Sequence, residues 1–416
     1  MSQIPSHTHW DRSLALLRDG YTFVSKRCER YGSDVFETRL MLQKVFCMMG
    51  GEAAQVFYEP GRFTRRGALP KTTVRLLQGT GSALLMDGEA HHWRKQMFMS
   101  LMTPESLKRA VDLFTEQWHK AIPRWKDMDR VVLLDEVQEI LCRTICQWSG
   151  VPLKESEVQE RTRELFAMID GAGSFGLRNW RAQRLRARSE QWIQGIIQDV
   201  RTHQLEIPER TPAHMIAWHR DLNGEYLGPP VAGVELLNIL RPTVAIANYI
   251  VFAALALRGY PEYRRRLMTG DNEYLAWFVQ EVRRFYPVFP LIGGCVLQEF
   301  GWRGHHFTRG TWVLLDLYGT NHDARLWEEP HAFRPERFRD WNGNAFELIP
   351  QGGGEYATNH RCAGEWLTIE LLKQAVHLMT MSIRYDVPMQ DLRYSLSRIP
   401  ALPKSHFLIS NVRLAK

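Results

Sequence analysis

The sequence predicts a mainly α-helical protein with a small β portion, folded as a single domain over residues 1–416. Three observations predict it. Apolar residues recur at helical spacing along most of the chain, alternating stretches are few and short, and no repeat, low-complexity tract or composition break marks a linker. With 44% apolar and 24% charged residues the chain matches neither a disordered nor a fibrous composition, and 416 residues suffice for one large core.

Helical periodicity covers 105–121, 133–148, 155–169, 180–202, 231–257 and 274–285, segments that often open after Pro, Asp or Ser. Short strands are expected over 293–300, 305–308 and 311–317, with Gly301, Gly304 and Gly310 as turn points. The tail from Ile383 to Arg413 carries Pro388, Pro400 and Pro403, which predicts irregular chain ending in a hairpin-like strand pair.

Charge and cysteine content narrow the function classes. The formal charge of +7 is modest for this length, and the Arg178–Arg188 and Arg264–Arg266 clusters lack interleaved aromatic residues. They read as solvated helix faces, so no nucleic-acid partner is expected, although a positive surface draws in anionic ligands. The apolar stretch Thr243–Leu257 is shorter than the roughly 20 residues a bilayer requires, so no membrane span is expected. Six scattered cysteines without zinc-like pairs, and no leader-like amino end, fit a reducing cytoplasmic setting. Cys142 and Cys146 share a helix face and read as core.

The most informative stretch is Pro350–Lys373, PQGGGEYATNHRCAGEWLTIELLK, where three glycines precede Cys362 and an amphipathic helix follows. A thiolate at a helix amino end meets unpaired N–H groups and the positive end of the dipole, which lower its pKa and suit it to a metal. A lone cysteine without a His or Cys partner at zinc spacing points to a cofactor that brings its own remaining ligands, as haem does through four pyrrole nitrogens; His360 would then donate to a propionate. A lone packing cysteine or a nucleophile remains open on this evidence. Glu281 and Arg284 form an E-x-x-R pattern on one helix face, and Arg337 in FRPERF is a third group able to complete a buried pair.

In order, E-x-x-R, then PERF at Pro335–Phe338, then H-x-C-x-G at His360–Gly364, the chain resembles the cytochrome P450 superfamily. The resemblance extends upstream through GEAHHWRKQMF and LLNILRPTVAIANYI and is strongest to the fatty-acid peroxygenase branch. It implies the cytochrome P450 fold and haem b (iron protoporphyrin IX), with Cys362 on the iron. Arg65, His91, Tyr286 and His360 become candidate haem contacts, Lys95 a further one, and Glu281, Arg284 and Arg337 supports of the haem-binding fold. The chain departs from the usual F-x-x-G-x-x-x-C loop, since Glu355 and Thr358 occupy the Phe and Gly positions.

Ordinary monooxygenases of the superfamily place an acid and a threonine in the central helix; here Arg241, Pro242 and Thr243 stand there. Pro242 removes a helical hydrogen bond and kinks the helix. An arginine among Ile239, Leu240, Val244 and Ile246 requires an anion if it is buried, from a neighbouring Asp or Glu or, as the branch resemblance implies, from a fatty-acid carboxylate. That carboxylate would serve as general base and then acid toward hydrogen peroxide, with hydroxylation of long-chain fatty acids at Cα or Cβ and no obligatory redox partner.

Leu84 falls where members of the branch usually carry Gln or His, which leaves hydroxylation and decarboxylation to a terminal alkene both open. Gly171, Ala172 and Gly173 are candidates for the substrate channel, with a plain helix stop as the alternative. Phe285, Phe289 and Leu291 are either acyl-chain contacts or core. A conventional monooxygenase with redox partners, and a non-enzymatic haem-thiolate sensor or lipid carrier, are the competing readings.

Overall fold

The protein, described by a computed structural model over residues 6–415, is built around a long apolar helix in two parts, Pro229–Val244 and Ile246–Gly259. The expected helix over 231–257 is thus interrupted at Ala245. Pro242 has no N–H to give to the preceding turn, and Asn248 donates three residues back, to the Ala245 carbonyl at 3.0 Å. Among the described residues, Pro229–Gly259 is the one helix long and apolar enough to cross a membrane, yet 89% of its most apolar window is buried inside the protein.

Around it pack the helices that the periodicity predicted. Pro104–Lys126 opens on Thr103, whose hydroxyl accepts from Ser106 N, and buries Ala110, Phe114, Trp118, Ile122 and Trp125 along one stripe. Leu133–Ser149 stops at Gly150 in the left-handed region, and within it Cys142 and Cys146 lie buried with their thiols hydrogen-bonded. Val158–Ala172 runs three residues past the expected end at Ile169. It packs on Leu177–Arg201 so closely that a Cβ on Gly171 would sit 2.3 Å from that of Ala182.

Six strands form the main sheet in the order Ser6–Asp11, Val35–Leu40, Gln43–Met48, Trp312–Asp316, Leu291–Val296 and Phe63–Thr64. The two from the 293–317 region were expected; the other four were not. The Val35–Met48 hairpin turns on Met41 and Leu42, both at positive φ, so the Asn-Gly or Asp-Gly signature of such a turn is missing from the sequence. Phe300–Trp302 and His305–Phe307 pair separately. The carboxy-terminal strand pair exists as Ile383–Asp386 against Leu408–Leu414, with Val131–Val132 on the far side of the latter.

Glu281 and Arg284 meet in the interior at 2.7 and 2.8 Å, and Arg337 reaches Glu281 at 3.2 Å. Arg284 also donates to the carbonyls of Asn321, Pro330 and Ala332, which ties the helix Asn272–Phe285 to the chain that leads to the cysteine loop.

Candidate active site

Glycine chemistry shapes the loop before Cys362. Gly352 and Gly354 both lie at positive φ, and a Cβ on either would fall within 3 Å of Tyr58 Oη or Asn359 Oδ1. The loop then turns so that Cys362 N donates to Gln351 O at 3.2 Å, and the helix Glu365–His377 begins three residues later. Gln351 Nε2 approaches Cys362 Sγ at 3.7 Å. Arg361 and Arg283 both close on Glu365, and Arg283 also donates to Gln351 Oε1 at 3.1 Å.

The thiol itself corrects one expectation. Burial pushes its pKa up, and Glu365 adds to the rise, while Lys95, the Gly364 N–H and Arg283 oppose without prevailing. The helix end alone therefore does not hold a thiolate in this pocket, whereas a coordinated metal ion deprotonates such a ligand outright. No group of three or more His, Cys, Asp or Glu gathers at metal-binding spacing among the described residues.

Arg65, His91, Lys95 and His360 form a basic group beside this loop. Arg65 is 4% exposed, donates to Gly293 O at 2.7 Å and lies over the Phe57 ring; burial pushes its pKa down. The His91 and His360 rings meet at a tilt of 32° with centroids 4.0 Å apart. Burial, then Lys95, His92 and Arg65, push His91 down to about 4, and His360 falls well below the usual range for the same kind of reason. Lys95 Nζ donates to the carbonyls of Asn359 and Arg361. Among the described residues no carboxylate reaches ion-pair distance of Arg65 or Lys95. A half-buried cysteine thiol beside Arg65 and Lys95, which meet no carboxylate at ion-pair distance, fits a haem-thiolate cofactor, for which these residues would hold the iron and the propionates.

Tyr286 does not join this group. Its ring stacks on Phe252 at 4.7 Å and meets Phe285, Phe333 and Tyr394, because it caps the helix Asn272–Phe285 on the face turned to the aromatic core. Phe285 packs in the same cluster, and Phe289 and Leu291 are partly buried against the core.

Arg241 is 4% exposed. It donates Nη1 to Leu76 O at 3.1 Å, its Nε has no partner, and no carboxylate of the described residues reaches it. Burial, helped by the positive charge of Arg186, pushes its guanidinium down to about 9. Glu235, on the same helix, is taken by Arg94 at 2.9 Å and by the backbone N–H of Ala83 at 2.7 Å. Between them Asn238 donates to Gln78 O at 2.9 Å. Three successive turns of one helix face thus clamp the 76–83 chain, which leads into the turn Ala83–Leu85, where Leu84 is 36% exposed. Sequence reasoning missed this clamp, although the Glu235, Asn238, Arg241 spacing on one face was a signal for it.

The Gly171–Gly173 stretch is a packing junction. Gly171 O accepts from Asn179 and Ser174, Ala172 O accepts from Thr73 at 3.1 Å, and a Cβ on Gly173 would strike Ile399 at 2.6 Å. A Cβ on Gly171 would also touch Leu76, the residue whose carbonyl Arg241 uses.

The cytochrome P450 family profile matches residues 268–397. Over 97% of its length the chain is similar to the solved structure of cytochrome P450SP alpha in complex with (R)-ibuprophen, at 46% identity, TM-score 0.95 and 99% of that chain. It is similar to wild-type cytochrome P450EX alpha with myristic acid at 42% identity and TM-score 0.97, over 100% of both chains. Cytochrome P450 71D94 of Mentha gracilis is 23% identical over 307 residues, 64% of this chain and 62% of the mint protein, so the match spans less than two thirds of that relative. Full-length similarity above 40% identity, on a chain that carries the cysteine loop and the buried E-x-x-R pair, settles the family: the chain belongs to the cytochrome P450 family, in its fatty-acid peroxygenase branch.

Proposed function

We propose that the protein is a haem-thiolate peroxygenase that uses hydrogen peroxide to hydroxylate long-chain fatty acids at Cα or Cβ. The observation that carries this is Arg241, a buried guanidinium without a protein acid in the helix where a proton-delivering acid is otherwise placed. An unpaired ion in an apolar interior is costly, and an entering carboxylate relieves that cost through a bidentate pair. The ligands in the similar solved structures, myristic acid and (R)-ibuprophen, both carry a carboxylic acid.

Cys362 would hold the iron of haem b, and Arg65, His91, Lys95 and His360 would hold its propionates. When bound, the haem supplies the redox chemistry through which an oxygen atom of the peroxide reaches carbon. Arg241 holds the carboxylate end, so the carbons next to that end are the ones presented for reaction. The carboxylate oxygen takes a proton from one peroxide oxygen and returns it to the other, the service that the missing acid would perform. Pro242, which removes one helical hydrogen bond, would let the helix part beside Arg241 and make room for the head group. The overall balance is R–H plus H2O2 to R–OH plus H2O, with no electron donor.

Leu84 offers no proton near the reacting carbon, so loss of CO2 to a terminal alkene is the second product class. All six cysteines are free thiols, which suits a cytoplasmic setting. The test is to mix the haem-loaded protein with hydrogen peroxide and a long-chain fatty acid, without reductase or NAD(P)H, and identify products by mass spectrometry. Hydroxy acids support the proposal and alkenes shift the product; turnover only with a reductase, or binding without turnover, rejects it.

A further inference from the structure

One carbonyl oxygen holds two buried guanidiniums. Arg186, in the helix Leu177–Arg201, is 0% exposed and donates Nη1 to Leu76 O at 2.9 Å, the same oxygen that Arg241 approaches at 3.1 Å. Leu76 sits in the last turn of the helix Lys71–Leu77, where carbonyls lack helical partners and carry the negative end of the dipole. Glu190 takes Arg186 Nε at 2.7 Å, and Arg186 Nη2 has no partner. The chain beyond Leu77 bends around this group: Gly79 lies at φ +78, and a Cβ there would come within 2.6 Å of Arg186 Nη2.

Two like charges sharing one acceptor repel, and Glu190 offsets the charge of Arg186 while Arg241 meets no acid among the described residues. We propose that Arg186 is a positioning residue for the substrate carboxylate: it anchors the Leu76 carbonyl and so fixes the Arg241 guanidinium in the place where it meets an ionised head group. This rests on the reading of Arg241 as the carboxylate's partner. Arg186 touches neither substrate nor iron in this account, and it acts through Leu76 and Arg241.

The consequence is a preference for acids over neutral ligands of equal length. Calorimetric titration of the haem-loaded protein with dodecanoic acid and with 1-dodecanol reads it directly, apart from turnover. Arg186→Gln should weaken binding of the acid roughly tenfold, as expected for a lost charge-assisted bond, and leave the alcohol unchanged. Arg186→Lys, which keeps the charge and loses the fork, should fall between, and it serves as the test if Arg186→Gln does not fold. Equal weakening of acid and alcohol means packing alone and overturns the proposal, as does unchanged acid binding. Arg241→Ala, titrated in parallel, separates the two ideas. Acid preference lost there but kept without Arg186 rejects only this inference, whereas preference kept in Arg241→Ala rejects the proposed function itself.

Discussion

Arg94 Nη1 lies 2.9 Å from Glu235 Oε1, and this contact engages the only acidic side chain between residues 229 and 259. Arg241, two turns further along, is left to find its anion elsewhere. Replacing Glu235 with Ala would strand Arg94 in the interior and leave the Ala83 N–H unpaired. The expected cost is about 3–5 kcal/mol, read as a lower urea midpoint with an unchanged slope.

For Arg241→Ala the expected outcome is a loss of about 10²–10⁴-fold in peroxide-driven fatty-acid turnover, the range for removing positioned acid–base help. Haem absorbance should persist, because the cysteine loop and the Arg65 group make no contact with Arg241. Full turnover in this variant would remove the ground for the proposed mechanism.

Asp316 gives a pH dependence opposite to that of an ordinary paired carboxylate. It caps the short helix Leu317–Asn321 by accepting Gly319 N at 2.7 Å, and burial pushes its carboxyl up to about 7. With a folded pKa above the unfolded one, the native state binds the extra proton, so stability is fully present below about pH 4 and is lost as pH rises to about 7. Asp316→Asn keeps the acceptor and cannot ionise. Its stability relative to the parent should therefore climb between those pH values by something on the order of 4 kcal/mol, measured by urea unfolding at stepped pH. A flat difference would show that the carboxyl ionises freely.

Glu281 accepts from Arg284, Arg337 and the Arg334 backbone N–H, all around a fully buried carboxylate. Glu281→Gln should cost about 3–5 kcal/mol, since two buried guanidiniums lose their counter-charge. Thermal melts followed by haem absorbance should show the cofactor leaving at a lower temperature than in the parent.

The long helices were legible because a 3.6-residue stripe survives wherever one face is buried, as in Pro104–Lys126. The Val35–Met48 hairpin was not, since a left-handed turn made from Met41 and Leu42 resembles no turn signature. At the site, Cys362 and Arg241 stood out against their surroundings, one after a glycine run and the other in an apolar helix. Arg186 could not, because its carbonyl partner is 110 residues away in sequence and the same oxygen lies 165 residues from Arg241. Tyr286 shows the converse, as its place beside a motif did not disclose that its ring would stack on Phe252. Local chemistry is visible in a chain, but which distant groups share one acceptor is decided by packing.

The strand Leu408–Leu414 occupies the middle of its three-stranded sheet, between Ile383–Asp386 and Val131–Val132. The last residues are therefore no dispensable tail. Truncation at Phe407 would strip both neighbours of their ladder at once and expose two edges that lie about 250 residues apart in the chain, a template for pairing between molecules.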